Sequence, residues 1–536
     1  MTSVRLNPLD SAWLFTESRA TPNHVGGLLQ FRLPEGAPKD YMRRMMADFR
    51  GHREFTAPWN RRLKYAFNKN PVPVWIEDRN IDLEYHVRHA ALPWPGGERE
   101  LGELVGRLQS TPLDLSRPPW ECTLIEGLEG DRFALFIKMH HSLIDGVSGM
   151  KLLQRAMSPD REASRKLPPF WASGLPRPRR ARDDNPLPTV ANAAAMAVEA
   201  LRGQVQTVPQ LVVAFGRMLK GLGTGEGMIV PFTSPQSVLN GRVREKRRFA
   251  TQQFPMERLR DLAKAAACTL NDVVLAICGG ALRRFLEERG DLPAKSLTTG
   301  IPVSVRPADD DDGGNAITFI IATLGTDIAD ARERLAAIRE SVRLAKEHVQ
   351  SLPRDAMLQY TVLLMAPTIL TLLTGIGGRT RPMFNITISN VPGPDKPLYF
   401  LGAELVAIYP ASIVTHGQAL NITCESYAGA MNFGFTGCHA SLPSMQRLAV
   451  YAEEALAELE TAMAPPPEPA PRSRKLRAKT AAAAAKALAP KAAMSGAGKP
   501  PGARKAAAAK LPEQRAGGGS AVEKKHAGKV RRKLAV

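Results

Sequence analysis

The segment RFALFIKMHHSLIDGVSGMKLL, residues 132–153, constrains the fold more than any other part of the chain. The strand and the helix that it predicts flank His140 and His141. Apolar side chains occupy every second position before this pair, which predicts a strand: Phe133, Leu135, Ile137 and Met139. An apolar run after Gly149 predicts a helix. Because loops at strand ends commonly carry catalytic side chains on a rigid scaffold, the segment predicts a functional loop.

The composition of this loop suits proton transfer by a histidine. An imidazole with a pKa of ~6.5 can accept the proton of a hydroxyl group during attack and pass it to a leaving thiolate. Asp145, four residues after His141, could anchor the loop or orient the ring. The adjacent Gly146 would let a bulky substrate approach the backbone. The candidate catalytic residues are therefore His140, His141, Asp145 and Gly146.

A histidine pair can also bind a metal or simply pack within a core. No third ligand accompanies the pair at a recognisable spacing, and the five cysteines are scattered without a CxxC spacing. We therefore expect no metal at this loop. Two packed structural histidines would be the default for an isolated pair, but the complete HHxxxDG string at a strand end is more specific.

Composition and periodicity divide the chain into four regions. Residues 1–157 form an N-terminal half with the HHxxxDG string, and residues 245–464 form a second folded half. Between them, residues 158–244 contain an exposed linker rich in proline and charge, and then an amphipathic helical segment near 189–221. Residues 465–536 are rich in Ala, Lys and Pro and poor in large apolar side chains, so we expect a disordered tail.

The second half contains both helices and strands. Periodicity predicts a helix over 256–267, another over 331–350 and a third that begins near Thr269. Strands are predicted at four segments: 297–306, 384–391, 419–429 and 430–438. Because strands and helices interleave in both halves, the sequence predicts an α/β fold.

The formal net charge of +20 is concentrated in the tail. Residues 471–536 hold 18 Lys and Arg against 2 Asp and Glu, so the rest of the chain carries only +4 (20 minus 16). This division argues against specific nucleic-acid binding by the folded part. We expect the tail to promote attachment to an anionic surface; attraction to nucleic acid and a solvated extension without function are the alternatives.

Residues 356–378 contain no charged side chain and are long enough to span a bilayer. Pro367 interrupts the segment, several polar residues dilute it, and no second span accompanies it. The sequence favours a buried or lipid-binding helix pair over a transmembrane helix and leaves both open.

The string HHSLIDG matches the HHxxxDG motif of the coenzyme A-dependent acyltransferase superfamily. Its surroundings, LDLSRPPWECTLIEGLEGDRFALFIKMHHSLIDGVSG, closely resemble the bacterial wax ester synthase/acyl-CoA:diacylglycerol acyltransferase family. Five further motifs carry the same resemblance: NPLDSAWLF, TLNDVVLAICGGALRRFL, IPVSVR, GGNAITF and SNVPGP. The likeness runs from about residue 5 to 460 and excludes the linker. RPPW at 117–120 departs from the family pattern, which has Leu before the Trp, and the tail lies outside that pattern.

The resemblance implies two halves similar to chloramphenicol acetyltransferase, with a tunnel between them. It implies that His141 is the general base, that His140 supports it, and that Asp145 holds the loop through an arginine, for which Arg306 is a candidate. The acyl thioester and the alcohol would meet at His141 from opposite mouths of the tunnel. Transfer would be direct, since no nucleophile motif such as GxSxG is present.

Three other motifs supply candidates, two in the second half and one before the predicted strand that ends at the histidine pair. Asn271 and Asp272 match an ND pair linked to activity in the family, but Thr269 and Asp272 also resemble a capping box at a helix start. The candidate substrate-binding residues could line the tunnel or its entrance, or could form packed turns: Pro118, Pro119, Trp120, Ser389 and Asn390.

The resemblance implies an O-acyltransferase that uses acyl-CoA as a substrate, needs no cofactor, and forms triacylglycerol or wax ester from diacylglycerol or a long-chain alcohol. The scattered cysteines and the absence of an apolar run near the start favour the cytoplasm. The lipid substrates imply peripheral attachment to the inner face of the membrane or to lipid droplets. Two alternatives are a condensation-type enzyme acting on carrier-bound substrates and a non-catalytic protein that binds lipid surfaces.

Overall fold

The computed structural model describes residues 3–6, 8–64, 73–174, 228–304, 317–352 and 354–464. These residues belong to one compact unit, Met1–Pro465. The predicted tail, the predicted helical segment near 189–221 and Arg306 lie outside the described residues.

Strands are numbered here in chain order. Within the described part of the chain they are β1 (Ser3–Arg5), β2 (His24–Arg32), β3 (Arg61–Leu63), β4 (Val74–Glu77), β5 (Val87–Ala91), β6 (Trp120–Leu128), β7 (Arg132–His140), β8 (Arg247–Pro255), β9 (Thr298–Ser304), β10 (Ile317–Thr323), β11 (Ile386–Val391), β12 (Tyr399–Phe400), β13 (Ala403–Ala411), β14 (Leu420–Tyr427) and β15 (Ala430–Cys438).

Helices are numbered in the same way. Over the same residues they are α1 (Pro8–Phe15), α2 (Tyr41–Gly51), α3 (Leu83–His86), α4 (Glu98–Ser110), α5 (Gly146–Gln154), α6 (Arg161–Ser164), α7 (Met256–Ala265), α8 (Leu270–Glu287), α9 (Ala331–Gln350), α10 (Arg354–Leu373) and α11 (Arg447–Met463). The α/β prediction is therefore confirmed, and the helices and strands that the sequence predicts in the second half are present within a few residues of the predicted bounds.

Two six-stranded mixed sheets organise the described chain. The N-terminal sheet has the order β12–β13–β2–β7–β6–β5, and the C-terminal sheet has the order β10–β9–β11–β14–β15–β8. A smaller sheet of β1, β4 and β3 also belongs to the N-terminal half. Each large sheet is mainly antiparallel but contains parallel pairs, β5 with β6 in the first, and β11 with both β9 and β14 in the second.

Strand β7 lies in the interior of the N-terminal sheet and is buried along nearly its whole length. The alternating side chains that predicted it, among them Leu135 and Ile137, join one hydrophobic core. The intervening Ala134 and Phe136 join a second core on the other face of the sheet. Because both faces are covered, the strand that leads to the histidine pair is rigidly held.

One strand does not follow the division of the chain into two halves. Strand β13 comes from the second half of the chain, yet it pairs with β2 and extends the N-terminal sheet. Gly434 of β15 approaches this strand so closely that an added Cβ would lie 1.9 Å from the carbonyl oxygen of Pro410. The two sheets are thus in direct contact through the crossover strand.

The expectation of an exposed linker is wrong at Phe170 and Trp171, although residues 159–163, 165 and 166 are exposed. Phe170 and Trp171 are buried in the N-terminal core, where Trp171 stacks on Trp120 with 5.8 Å between ring centroids. At the other end of the predicted 158–244 region, Leu239 is buried in the core of the C-terminal half. Large apolar side chains at both ends therefore anchor the connection, and residues 175–227 lie outside the described residues.

Residues 356–373 of the uncharged segment lie in one helix, α10, rather than in the predicted helix pair, and Pro367 lies inside it. Among the described residues, no single helix is long and apolar enough to cross a membrane. The bent pair α7 and α8 passes that test by length and composition, with an angle of 100° between its helices.

Candidate active site

The HHxxxDG loop begins where β7 leaves the sheet between β2 and β6. His140 is in register with His24 of β2, and its backbone N–H donates to the Pro119 carbonyl at 2.9 Å. The next residue, His141, donates its backbone N–H to the Asn23 carbonyl, also at 2.9 Å. Backbone hydrogen bonds to the segments on both sides therefore fix the directions of both histidines.

His140 is fully buried and both of its ring nitrogens are engaged. Its Nδ1 accepts the backbone N–H of Ser142 at 3.1 Å and lies 2.6 Å from the Ser142 hydroxyl. Because Nδ1 accepts a backbone N–H, Nε2 carries the proton and donates it to the Glu17 carboxylate. This arrangement leaves no nitrogen for a substrate, which fits a supporting residue better than a base.

His141 has a different environment. Its ring stacks on Trp13, with centroids 4.3 Å apart and an interplanar angle of 28°. The residue is only partly buried, but its Nδ1 is inaccessible and has no hydrogen-bond partner among the described residues. Burial lowers the pKa of His141 to about 4, although the carboxylate of Asp145 and the backbone carbonyl of His141 itself act to raise it. The imidazole is therefore neutral near pH 7 and can accept a proton.

Asp145 holds the loop by capping helix α5. Its Oδ1 accepts the backbone N–H of Ser148 at 2.8 Å, and its Oδ2 accepts the Ser148 hydroxyl at the same distance. No lysine or arginine of the described residues forms an ion pair with Asp145, and the predicted partner Arg306 lies outside them. The local N-cap is thus one of the contacts that order the loop.

Gly146, the first residue of α5, is exposed. A Cβ added to it would meet no other atom within 4 Å. The protein's own packing therefore does not require glycine here, and the free space fits the expectation that a substrate passes close to the backbone.

Asn271 and Asp272 lie in the first turn of α8, in the C-terminal half. The Thr269 side chain accepts the Asp272 N–H at 3.3 Å, while Asp272 Oδ2 accepts the Thr269 N–H at 2.9 Å, so the predicted capping box is present. The other oxygen, Oδ1, is buried without a hydrogen-bond partner among the described residues. The capping interpretation is confirmed; a role in the reaction stays a prediction.

The Pro118–Trp120 motif is part of the N-terminal core. All three residues are buried, and Trp120 Nε1 donates to the Trp59 carbonyl at 2.8 Å. The Trp120 ring also stacks on His86, with 4.5 Å between centroids. Together with the hydrogen bond from His140 to Pro119, these contacts show a motif that supports the catalytic strand from behind. The proposed contact of these residues with substrate stays a prediction.

Ser389 and Asn390 lie near the end of β11 and are partly buried. Ser389 is in register with Thr423 of β14, whose hydroxyl lies 2.7 Å from the Ser412 hydroxyl just beyond β13. Ser389 and Asn390 therefore lie close to the junction of the two sheets. Their proposed contact with substrate stays a prediction.

Sequence reasoning assigned no role to Trp13, Glu17 or Asn23, which complete the surroundings of the histidine pair. Trp13 belongs to the NPLDSAWLF motif, so that motif was the available signal. No spacing rule connects it with His141, because the two segments meet only in the folded chain.

The described residues contain no group of three or more His, Cys, Asp or Glu that could hold a metal ion. An apolar pocket lies in the C-terminal half between α9, α10 and β10. Its lining includes Phe319, Val349 and Leu364, and none of its residues belongs to the N-terminal sheet. The pocket lacks an identified catalytic group, so the His141 loop stays the candidate for the chemistry.

Comparison with known proteins identifies the class of this arrangement. The wax ester synthase/diacylglycerol acyltransferase catalytic domain matches residues 6–274, and the C-terminal domain of the same family matches residues 313–460. A provisionally named diacylglycerol O-acyltransferase of Mycobacterium tuberculosis is 44% identical, covering 86% of this chain and 98% of that protein. The O-acyltransferase WSD of Acinetobacter baylyi is 39% identical, covering 86% of this chain and 97% of that protein.

Comparison with solved structures gives the same family. The wax ester synthase/diacylglycerol acyltransferase from Marinobacter aquaeolei is similar with a TM-score of 0.69 and 38% identity, over 86% of this chain and 99% of that one. The first condensation domain of the calcium-dependent antibiotic synthetase has a TM-score of 0.50 and 17% identity, over 86% and 97%, which shows a shared fold alone. The chain is thus an acyltransferase enzyme with the fold that the sequence predicts. It belongs to the wax ester synthase/diacylglycerol acyltransferase family.

Proposed function

We propose that this enzyme transfers a long-chain acyl group from acyl-CoA to diacylglycerol, to a long-chain alcohol or to both, with His141 as the general base. One observation carries the assignment of the base. The two adjacent histidines differ, because His140 has both ring nitrogens engaged while His141 is neutral, partly accessible and held by stacking on Trp13. Relatives named for both reactions support the choice of substrates.

The proposed reaction is a direct transfer and forms no covalent intermediate with the enzyme. The acceptor hydroxyl gives its proton to His141 as its oxygen attacks the thioester carbonyl carbon. The carbon–sulfur bond then breaks, and the proton passes from His141 to the coenzyme A thiolate. Because Nδ1 is inaccessible, we assign both transfers to Nε2. A positioned acid–base group typically contributes ~10²–10⁴-fold to the rate.

The proposal includes no cofactor and no metal, since acyl-CoA is a substrate and the histidine supplies the proton transfer. We further propose that the enzyme works in the cytoplasm, attached peripherally to a membrane or lipid droplet. The lipid nature of the substrates supports this location, because apolar acceptors partition into such phases.

Replacement of His141 by alanine tests the mechanism. The purified enzyme is incubated with labelled long-chain acyl-CoA, with hexadecanol and a diacylglycerol offered in competition, and the labelled products are separated. We expect His141→Ala to lose at least ~10²-fold in turnover with an unchanged melting temperature. The matched control is His89→Ala, because His89 is an exposed histidine of the same half.

Near-normal turnover by a folded His141→Ala variant would refute the mechanism. Transfer that requires a carrier-bound donor and does not proceed with acyl-CoA would instead favour a condensation-type enzyme. Binding to lipid surfaces without turnover by the wild-type enzyme would favour the non-catalytic alternative.

A further inference from the structure

Helix α10 presents an apolar face that the described residues do not cover. Eight large hydrophobic residues of the described chain are substantially exposed, and five of them lie within fifteen positions on or just after this helix. Their exposed fractions range from 43% to 61%: Val362, Leu363, Leu370, Leu373 and Ile376. At 100° per residue, the four members within α10 fall in one sector of the helix, so they form a continuous stripe.

The opposite face fastens the helix to the protein. Tyr360 and Leu364 are buried in a small core with Ile321 and Phe384. The Thr361 hydroxyl also donates to the Thr318 hydroxyl of β10 at 2.7 Å. The apolar stripe is therefore a fixed surface feature and not the frayed end of a segment.

Arginines border the stripe at the C-terminal end of the helix. Arg379 and Arg381 are exposed, and neither forms an ion pair with any described residue. Arg242, from the neighbouring loop, donates to the Gly375 carbonyl at 2.6 Å, which brings a third cation to the same end. The sequence contains no Asp or Glu between residues 356 and 394, so the helix and the segment after it add no acidic side chain to this border.

We propose that this face, Val362–Arg381, is the surface by which the enzyme docks on an anionic phospholipid surface. An apolar helix face with a cationic border fits that occupant, because the stripe enters the acyl boundary while arginines meet the headgroups. The inference rests on the proposed function only in that lipid substrates give the enzyme a reason to bind such a surface.

Charge argues against the chain's own amphipathic segment as the occupant. Residues 189–221 carry Arg202, Arg217 and Lys220 against Glu199, so their net charge is positive like that of the border. A basic segment does not complement a basic rim, whereas an anionic lipid surface does.

Vesicle flotation with the full chain tests the proposal. Two vesicle types are used, phosphatidylcholine alone and phosphatidylcholine with phosphatidylglycerol, each at low and high salt. The double variant Leu370→Glu with Leu373→Glu should weaken partitioning to both vesicle types by at least roughly tenfold. Because this loss is of apolar contact, it should persist at high salt, where attraction by the basic tail is screened.

Replacement of the two arginines should change vesicle binding in a different way. Arg379→Gln with Arg381→Gln should weaken binding to the anionic vesicles alone, by roughly fivefold for each arginine, and only at low salt. Val450→Glu is the matched control, because Val450 is 57% exposed on α11 and lies outside the stripe. It should leave partitioning unchanged.

Activity on a soluble acyl-CoA and a short-chain alcohol separates this proposal from the proposed function. The α10 variants should keep that activity, so inactivity of the wild-type enzyme would count against the function and not against the surface. Unchanged flotation of the Leu370→Glu, Leu373→Glu variant would overturn the docking surface. A concentration-dependent dimer that this variant abolishes, without loss of flotation, would assign the face to a second copy instead.

Discussion

Replacement of Glu425 by glutamine should remove a large pH dependence from the stability of this enzyme. Glu425 lies on β14, between Thr423, which is linked to Ser412, and Tyr427, whose hydroxyl donates to the Leu405 carbonyl at 2.9 Å. These alternate residues share one face of the strand, so Glu425 points toward β13. Its side chain is almost fully buried, and neither carboxyl oxygen has a hydrogen-bond partner among the described residues.

The magnitude follows from the pKa of this carboxyl group. Burial raises the pKa of Glu425 from 4.5 to about 8. Between these values the unfolded chain has released the proton that the folded chain still holds, so stability falls as pH rises. At about 1.4 kcal/mol per pH unit, the complete loss is about 5 kcal/mol, of which about 3.5 kcal/mol falls between pH 5 and pH 8.

The assay is urea unfolding of wild type and Glu425→Gln at half-unit steps from pH 5 to pH 9. The difference between the two proteins isolates this group, because other titrations cancel. We expect the glutamine variant to gain stability relative to wild type steadily up to about pH 8 and to level off above it. Glu35→Gln serves as the matched control, since Glu35 lies on an exposed turn and should show no such trend.

A stability difference that stays flat from pH 5 to pH 8 would refute the reasoning, because it would mean that Glu425 ionises at its ordinary pKa. A difference of the opposite sign, with wild type gaining stability as pH rises, would indicate that a cation pairs with the carboxylate in the folded protein.

Three further outcomes follow from the site and the tail. Asp145→Ala should lower the melting temperature together with turnover, because loss of a helix N-cap costs about 1 kcal/mol, whereas Asp145→Asn keeps a capping side chain and should retain most of the stability. An unchanged melting curve with lost turnover would assign Asp145 a direct chemical role. A chelator should leave turnover unchanged, and inactivation that one added metal reverses would contradict this expectation. Deletion of residues 466–536 should preserve turnover on soluble substrates and weaken salt-sensitive sedimentation with anionic vesicles; equal sedimentation of both forms would remove that role from the tail.

The local pattern of the sequence was sufficient for most elements of the second half. Helix α9 spans Ala331–Gln350 as predicted, and β15 spans Ala430–Cys438 as predicted. Thr269 caps α8, as its spacing from Asp272 indicates. These features depend on contacts within a few residues, so periodicity and capping rules reach them.

Periodicity and capping rules do not predict which side chains surround the two histidine rings. The sequence placed His140 and His141 at the end of a strand, and the resemblance singled out the second. Their surroundings differ because of Glu17 and Trp13, which reach the rings only through folding. Sequence spacing does not report which side chain from more than 100 residues away will meet a ring.

The sequence by itself determined the α/β class, the strand that carries the histidine pair and the separation of a nearly neutral body from a basic tail. Only the tertiary structure decided that β13 crosses into the N-terminal sheet, that Phe170 and Trp171 are buried, and that α10 presents an apolar face that the described residues leave exposed. The physical reason is that hydrophobic periodicity records that a side chain prefers burial. Which partner covers it, or whether the protein leaves it uncovered, depends on packing between segments far apart in the chain.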